Sequence, residues 1–307
     1  MKQKHNTDRR SLKKDDAVSN VVVMMLILSV VVIVFSVFVG IYLPQMKETS
    51  EMMHSEDVKS AFLKFSSDMD SVYSRGQAGT YSEVFSLGGG EILLSSSKSA
   101  GTVEIEDEVL ATVHIPYMKK TVIQSSGTTK ETPVGGTDTV KLKTVKVSYT
   151  PVLPYWEEQG YWYEKGVVWV QKGDVNTPVS SALHSETDGK NQMNQTTGSW
   201  LKKMNPVYLT ENKTFTVTKD SEGNVKDITE KTQSVYTMTL VDVSADENHT
   251  FLSGSGDAKL KISAEVLPEI TEYELSDTLP DINGTTVSLN AGSLLRVTKI
   301  AAKVSVE

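Results

Sequence analysis

Residues 17–43 read AVSNVVVMMLILSVVVIVFSVFVGIYL, and no Asp, Glu, Lys or Arg lies between Asp16 and Lys47. As a helix rising about 1.5 Å per residue, these 27 residues extend roughly 40 Å, more than the ~30 Å hydrocarbon thickness of a bilayer. One such helix crosses a membrane once, with tilt or overhang to spare. A cleaved secretory signal has a shorter apolar stretch, ~7–15 residues, ending in a small-residue site. Gly40-Ile41-Tyr42-Leu43-Pro44 supplies no such site, so the expectation is a retained transmembrane helix over 17–43.

Charge on either side sets the orientation. Residues 1–16, MKQKHNTDRRSLKKDD, carry six Lys or Arg against three Asp, whereas the first charges beyond the span (Lys47, Glu48, Glu51, Glu56, Asp57) are mostly acidic. The positive-inside bias then makes residues 1–16 a cytoplasmic tail and places the rest outside, in a single-pass protein of the cell membrane with the lipid bilayer as its first partner. Setting that tail aside leaves 25 basic against 36 acidic residues, a net charge of −11. Nucleic acid is excluded as an expected partner, because phosphate binding requires clustered Lys and Arg. The chain has no cysteine, so its exported part is expected to hold together by packing and hydrogen bonds.

Pro44 predicts an interruption or kink where the helix leaves the membrane, since proline lacks the amide hydrogen and crowds the preceding turn. Beyond it Val58, Phe62, Phe65, Met69 and Val72 alternate steps of four and three, with Ala61 and Tyr73 widening the stripe. Arg75 in the last turn and Gly76 just after it mark the stop. Residues 44–76 therefore read as an amphipathic helical stalk whose stripe packs on the domain behind it.

After Gly79 the texture becomes short period-two runs rich in Val, Thr, Ile and Tyr, separated by Gly, Ser, Asn or Asp. Strands are expected at 91–95, 101–105, 109–115, 121–124, 139–149, 167–171, 214–219, 234–243, 258–266, 285–289 and 293–306. Asp220-Ser221-Glu222-Gly223-Asn224 reads as the turn of a hairpin. Residues 180–205, polar and without either period, read as a long surface loop. Ten or so strands without long helical periods between them argue for a sandwich or a partly closed barrel, and the predicted class is α+β: a long N-terminal transmembrane and amphipathic helix followed by an all-β, sandwich-like extracellular domain over 77–307.

Motifs of catalysis are absent: there is no H-E-x-x-H, G-x-S-x-G or G-x-x-x-x-G-K, and no thiol nucleophile. His5, His54, His114, His184 and His249 have no metal-like spacing, each reading as a surface or strand residue. Neither a metal nor a cofactor is expected, nor enzymatic activity; adjacent acids such as Glu157 and Glu158 read as solvated. Three of four tryptophans fall within Pro154-Tyr155-Trp156, Tyr161-Trp162-Tyr163 and Trp169. Buried, such residues supply core area; exposed, they stack on sugars or partners, which makes Trp156 and Trp162 the ligand-binding candidates. Asn-x-Ser/Thr sequons at Asn194, Asn212, Asn248 and Asn283 are candidate glycosylation sites of a surface glycoprotein.

The junction Lys13-Lys14-Asp15-Asp16-Ala17-Val18-Ser19-Asn20-Val21-Val22, followed by an unbroken aliphatic helix, resembles the start of archaeal type IV pilins and pilin-like surface proteins. The resemblance covers about 30 residues; where that family usually has Ser-Pro, this chain has Ser19-Asn20. It implies a short leader removed by a prepilin peptidase between Asp16 and Ala17, and a freed helix that packs with those of other pilin-like subunits. The function so implied is non-enzymatic assembly or adhesion at the cell surface. The alternative is an unprocessed single-pass ectodomain that binds an extracellular ligand such as a glycan.

Overall fold

The computed structural model describes residues 12–89, 98–132, 134–179, 207–279 and 289–307. A single rod opens the chain: helix α1 (Leu12–Val37), a π-helical turn (Phe38–Tyr42) and helix α2 (Leu43–Arg75) follow without a break. Helical backbone already begins at Leu12, so the predicted boundary between tail and span at 16/17 falls inside a helix. The expected interruption at Pro44 is not found, since helix continues through it. Its ring would crowd the carbonyl of Gly40, and the turn ahead of it is wound wide, with the Leu43 N–H donating to the Phe38 carbonyl five residues back. Tyr42 and Leu43 keep right-handed helical dihedrals through the transition. Rotation ends as predicted at Arg75: Gly76 adopts the left-handed conformation (φ 56°) and its N–H returns to Val72 O at 3.2 Å.

Among the described residues twelve strands follow: β1 (Gly79–Ser86), β2 (Ala100–Ile123), β3 (Thr129–Thr132), β4 (Gly136–Val152), β5 (Gln159–Glu164), β6 (Val167–Lys172), β7 (Val175–Pro178), β8 (Val207–Lys219), β9 (Val225–Ala245), β10 (Phe251–Gly254), β11 (Asp257–Leu275) and β12 (Leu294–Val306). They belong to one sheet in the order β7-β6-β5-β4-β2-β11-β12-β9-β8, with β1 paired to β11, and β3 and β10 paired to β2. The α+β class holds, but hydrogen bonds join every described strand where a sandwich would have two separate sheets. Curling brings β4 against β9, although three strands lie between them in the sheet order.

Three expected strands at 101–105, 109–115 and 121–124 are one, β2. Its acidic middle is carried across the ladder: Glu106 faces Lys146 at 4.0 Å and Glu108 pairs with Lys165 at 2.5 Å, so charge does not end the strand. The predicted hairpin joins β8 and β9, with Asp220 Oδ1 accepting the N–H groups of Glu222 (3.0 Å) and Asn224 (2.8 Å). The expected loop at 180–205 and strand at 91–95, and most of that at 285–289, lie outside the described residues.

Long β11 changes partners along its length. Its first half pairs with β1 and its second with β2, and the register against β12 shifts between Val266 and Ile270, around Pro268, which has no N–H to give the ladder. Two apolar clusters match the two halves. In the first, Val58, Phe62, Phe65, Met69 and Val72 of α2 meet Tyr149, Tyr161, Tyr163, Leu260, Ile262 and their neighbours. Phe65 stands edge-on to Tyr163 (5.3 Å between centroids, 87°), and Phe62 likewise to Phe85 (6.1 Å, 62°). The second has no helix: Ile115, Leu142, Met238, Tyr273, Leu295 and Val297 fill the space the sheet encloses by curling.

Candidate functional site

The buried stripe of α2 does not end at Val58. One turn after another toward its N-terminal end it continues through Ser55, His54, Glu51, Lys47 and Leu43, polar except for the last yet buried like the apolar part. A buried polar group without a partner costs about 1–3 kcal/mol, so each of these must be matched. Glu51 Oε2 accepts the backbone N–H groups of Tyr155 (2.9 Å) and Trp156 (2.8 Å), and Lys47 Nζ stands 5.0 Å from the centre of the Tyr155 ring. Ser55 Oγ meets the Tyr161 hydroxyl at 3.0 Å, and that hydroxyl donates to Gln159 Oε1. The loop between β4 and β5 is thereby fastened to the helix.

His54 completes the clasp. Its Nε2 lies 3.0 Å from the Tyr149 hydroxyl, which donates to the Leu87 carbonyl at 2.9 Å. A phenol has one proton, and a carbonyl takes it as pure acceptor, so the proton shared with His54 sits on Nε2. Burial lowers the His54 pKa, partly offset by the charge of Asp57 and the bond toward Leu87; burial likewise raises that of Tyr149. Gly89 explains how the chain after β1 closes on this ring: a Cβ there would lie 2.7 Å from His54 Cβ. The expectation that His54 is a surface or strand residue is therefore corrected, because it belongs to α2 and its ring is buried against β4.

A second feature occupies the opposite face of the β4–β7 meander. Alternation sends Tyr161, Tyr163 and Val168 inward to the helix and Trp162 and Trp169 outward, where the two indoles stack across β5 and β6 (6.0 Å, 10°). In the adjoining row Gly160 pairs with Gln171, and Gln171 with Asn176. Gly160 has no side chain to fill its place, and the result is a groove of about 460 Å³. Trp162, Ser148, Thr150, Gln171, Asn176 and Lys146 line it, with Glu158 at its rim.

Of the predicted ligand residues, Trp162 lines this groove and Trp156 does not; the latter belongs to the clasp through its amide. Asn248 is exposed in the turn between β9 and β10, Asn212 lies in β8, and Asn194 and Asn283 fall outside the described residues. Asp16 and Ala17 are in the first turns of α1. Among the described residues no three His, Asp or Glu side chains gather as metal ligands. Hydrophobic periodicity passed over Lys47, Glu51, His54 and Ser55; their spacing of four, three and one, in phase with Val58, was the available signal. Comparison of the chain with known protein families, curated proteins and solved structures finds no match.

Proposed function

We propose that this is a membrane-anchored cell-surface protein of the pilin-like kind, whose N-terminal helix holds the β domain outside the cell and whose work is assembly or adhesion. The observation that carries this reading is the division of one continuous rod. Residues 58–73 are packed on the sheet, while the side chains of 20–42 have no protein around them and all but Phe38 are exposed. An all-round apolar helix requires an apolar surrounding, either lipid or other helices. Its polar atoms suit that surrounding: Ser29 Oγ donates to Met25 O (2.8 Å) and Ser36 Oγ to Val32 O (2.7 Å).

In this reading residues 1–16 are cytoplasmic and a prepilin peptidase cuts between Asp16 and Ala17. The shortened helix then exchanges lipid for the helices of other pilin-like subunits, where close packing replaces the bilayer. Intact-mass and N-terminal peptide analysis of protein from its native membrane tests this. A mature chain beginning at Ala17 is the expected result. Retention of Met1 would sink the assembly reading and leave an unprocessed ectodomain on a single-pass anchor, a second reading supported by the groove beside Trp162.

A further inference from the structure

We infer that the groove over Gly160 is a binding site for a neutral saccharide. Size comes first: about 460 Å³ falls within the roughly 300–1,000 Å³ of small-molecule sites. Chemistry then selects the class of ligand. Trp162 supplies a flat apolar wall, held in place by its stack on Trp169, and such a wall suits the C–H face of a pyranose ring. Around it stand two hydroxyls (Ser148, Thr150) and two carboxamides (Gln171, Asn176), groups that both donate and accept and so match sugar hydroxyls in either sense.

Charge argues against an ionic ligand. One ammonium, Lys146, and one carboxylate, Glu158, line the same groove, and Lys146 is already 4.0 Å from Glu106, so neither sign prevails. Rigidity favours binding too, since every lining strand is tied into the sheet on both sides except β7 at its edge. The opening itself depends on one residue. A Cβ built on Gly160 meets nothing closer than 3.4 Å, the Tyr149 carbonyl oxygen. The position thus accepts a larger side chain without displacing the strand, and that side chain would fill the space a sugar ring needs.

The inference rests on the groove alone and stands whether the helix assembles or merely anchors. Full-length protein in lipid nanodiscs, free of sugar-headed detergent, is titrated with cellotetraose, mannotetraose and chitotetraose, following tryptophan fluorescence and saturation-transfer NMR. Saturable binding of at least one of these is expected, weakened about tenfold or more in both Trp162→Ala and Gly160→Leu. Gly160→Leu is expected to keep or raise the thermal midpoint, because leucine replaces glycine in a strand. Trp156→Ala, outside the groove, leaves the affinity unchanged. Absence of binding by all three saccharides up to about 10 mM overturns the inference, as does binding that survives Gly160→Leu.

Discussion

Residues 20–42 and 58–73 belong to the same helical rod and are both rich in apolar side chains, yet one half is exposed on nearly every side and the other is buried along one stripe. The difference lies in how the apolar residues are distributed about the axis. Around the second half polar residues occupy the outward face (Lys59, Lys64, Asp68), so a sheet on one side suffices. Around the first no direction is polar, and no single surface can cover it. Between them, Lys47 to Ser55 keep the spacing of the buried stripe while changing its chemistry, so the same helix passes from one regime to the other.

Phe62→Ala gives the largest expected effect. It removes a ring with no exposed surface from the centre of the helix–sheet core and lowers domain stability by about 3–5 kcal/mol in denaturant unfolding of the full chain in nanodiscs. Leu28→Ala, in the exposed half, leaves the same transition within about 0.5 kcal/mol. Equal effects would break the contrast between the halves. Val31→Arg sharpens it from the other side: about 2.5–3.5 kcal/mol against membrane insertion, read as loss of membrane-fraction protein, with the β domain's unfolding midpoint unchanged.

Glu51→Ala tests the junction. Two backbone N–H groups lose a charged acceptor, and stability falls by about 1.5–3 kcal/mol, with faster proteolytic cleavage in 153–158. A neutral outcome would mean that this loop is held by the sheet alone. The smallest effect is a pH slope from His54. Its folded pKa lies below the unfolded value of 6.5, so the unfolded chain binds the proton first. Stability is full above about pH 6.5 and declines as pH falls through the interval down to the lowered folded value; His54→Gln flattens that part of the curve.

Much of this contrast was legible in the chain. The apolar run, the Val58–Tyr73 stripe, the Arg75–Gly76 stop and the hairpin at Asp220–Asn224 each follow from local chemistry: side-chain solvation, helical period, and glycine's access to positive φ. Pro44 misled because the usual cost of proline assumes an α-helical turn around it, and one π turn removes the clash. The acidic middle of β2 misled because its compensating lysines lie elsewhere in the chain, Lys146 on β4 and Lys165 in the turn between β5 and β6. The clasp escaped notice for the same kind of reason: Glu51 is tolerable in a buried stripe only because the Tyr155 and Trp156 amides, 104 and 105 residues away, reach it.

By itself the sequence determined the one apolar helix, the amphipathic rod beyond it and a β-rich remainder, since these depend on solvent preference and on period along a single segment. Tertiary structure alone decided that the strands form one curled sheet, that His54 is buried, and that Trp162 faces a groove while Trp156 does not. Those outcomes depend on which residues meet across long separations, and strand pairing is set by partners that no local pattern names.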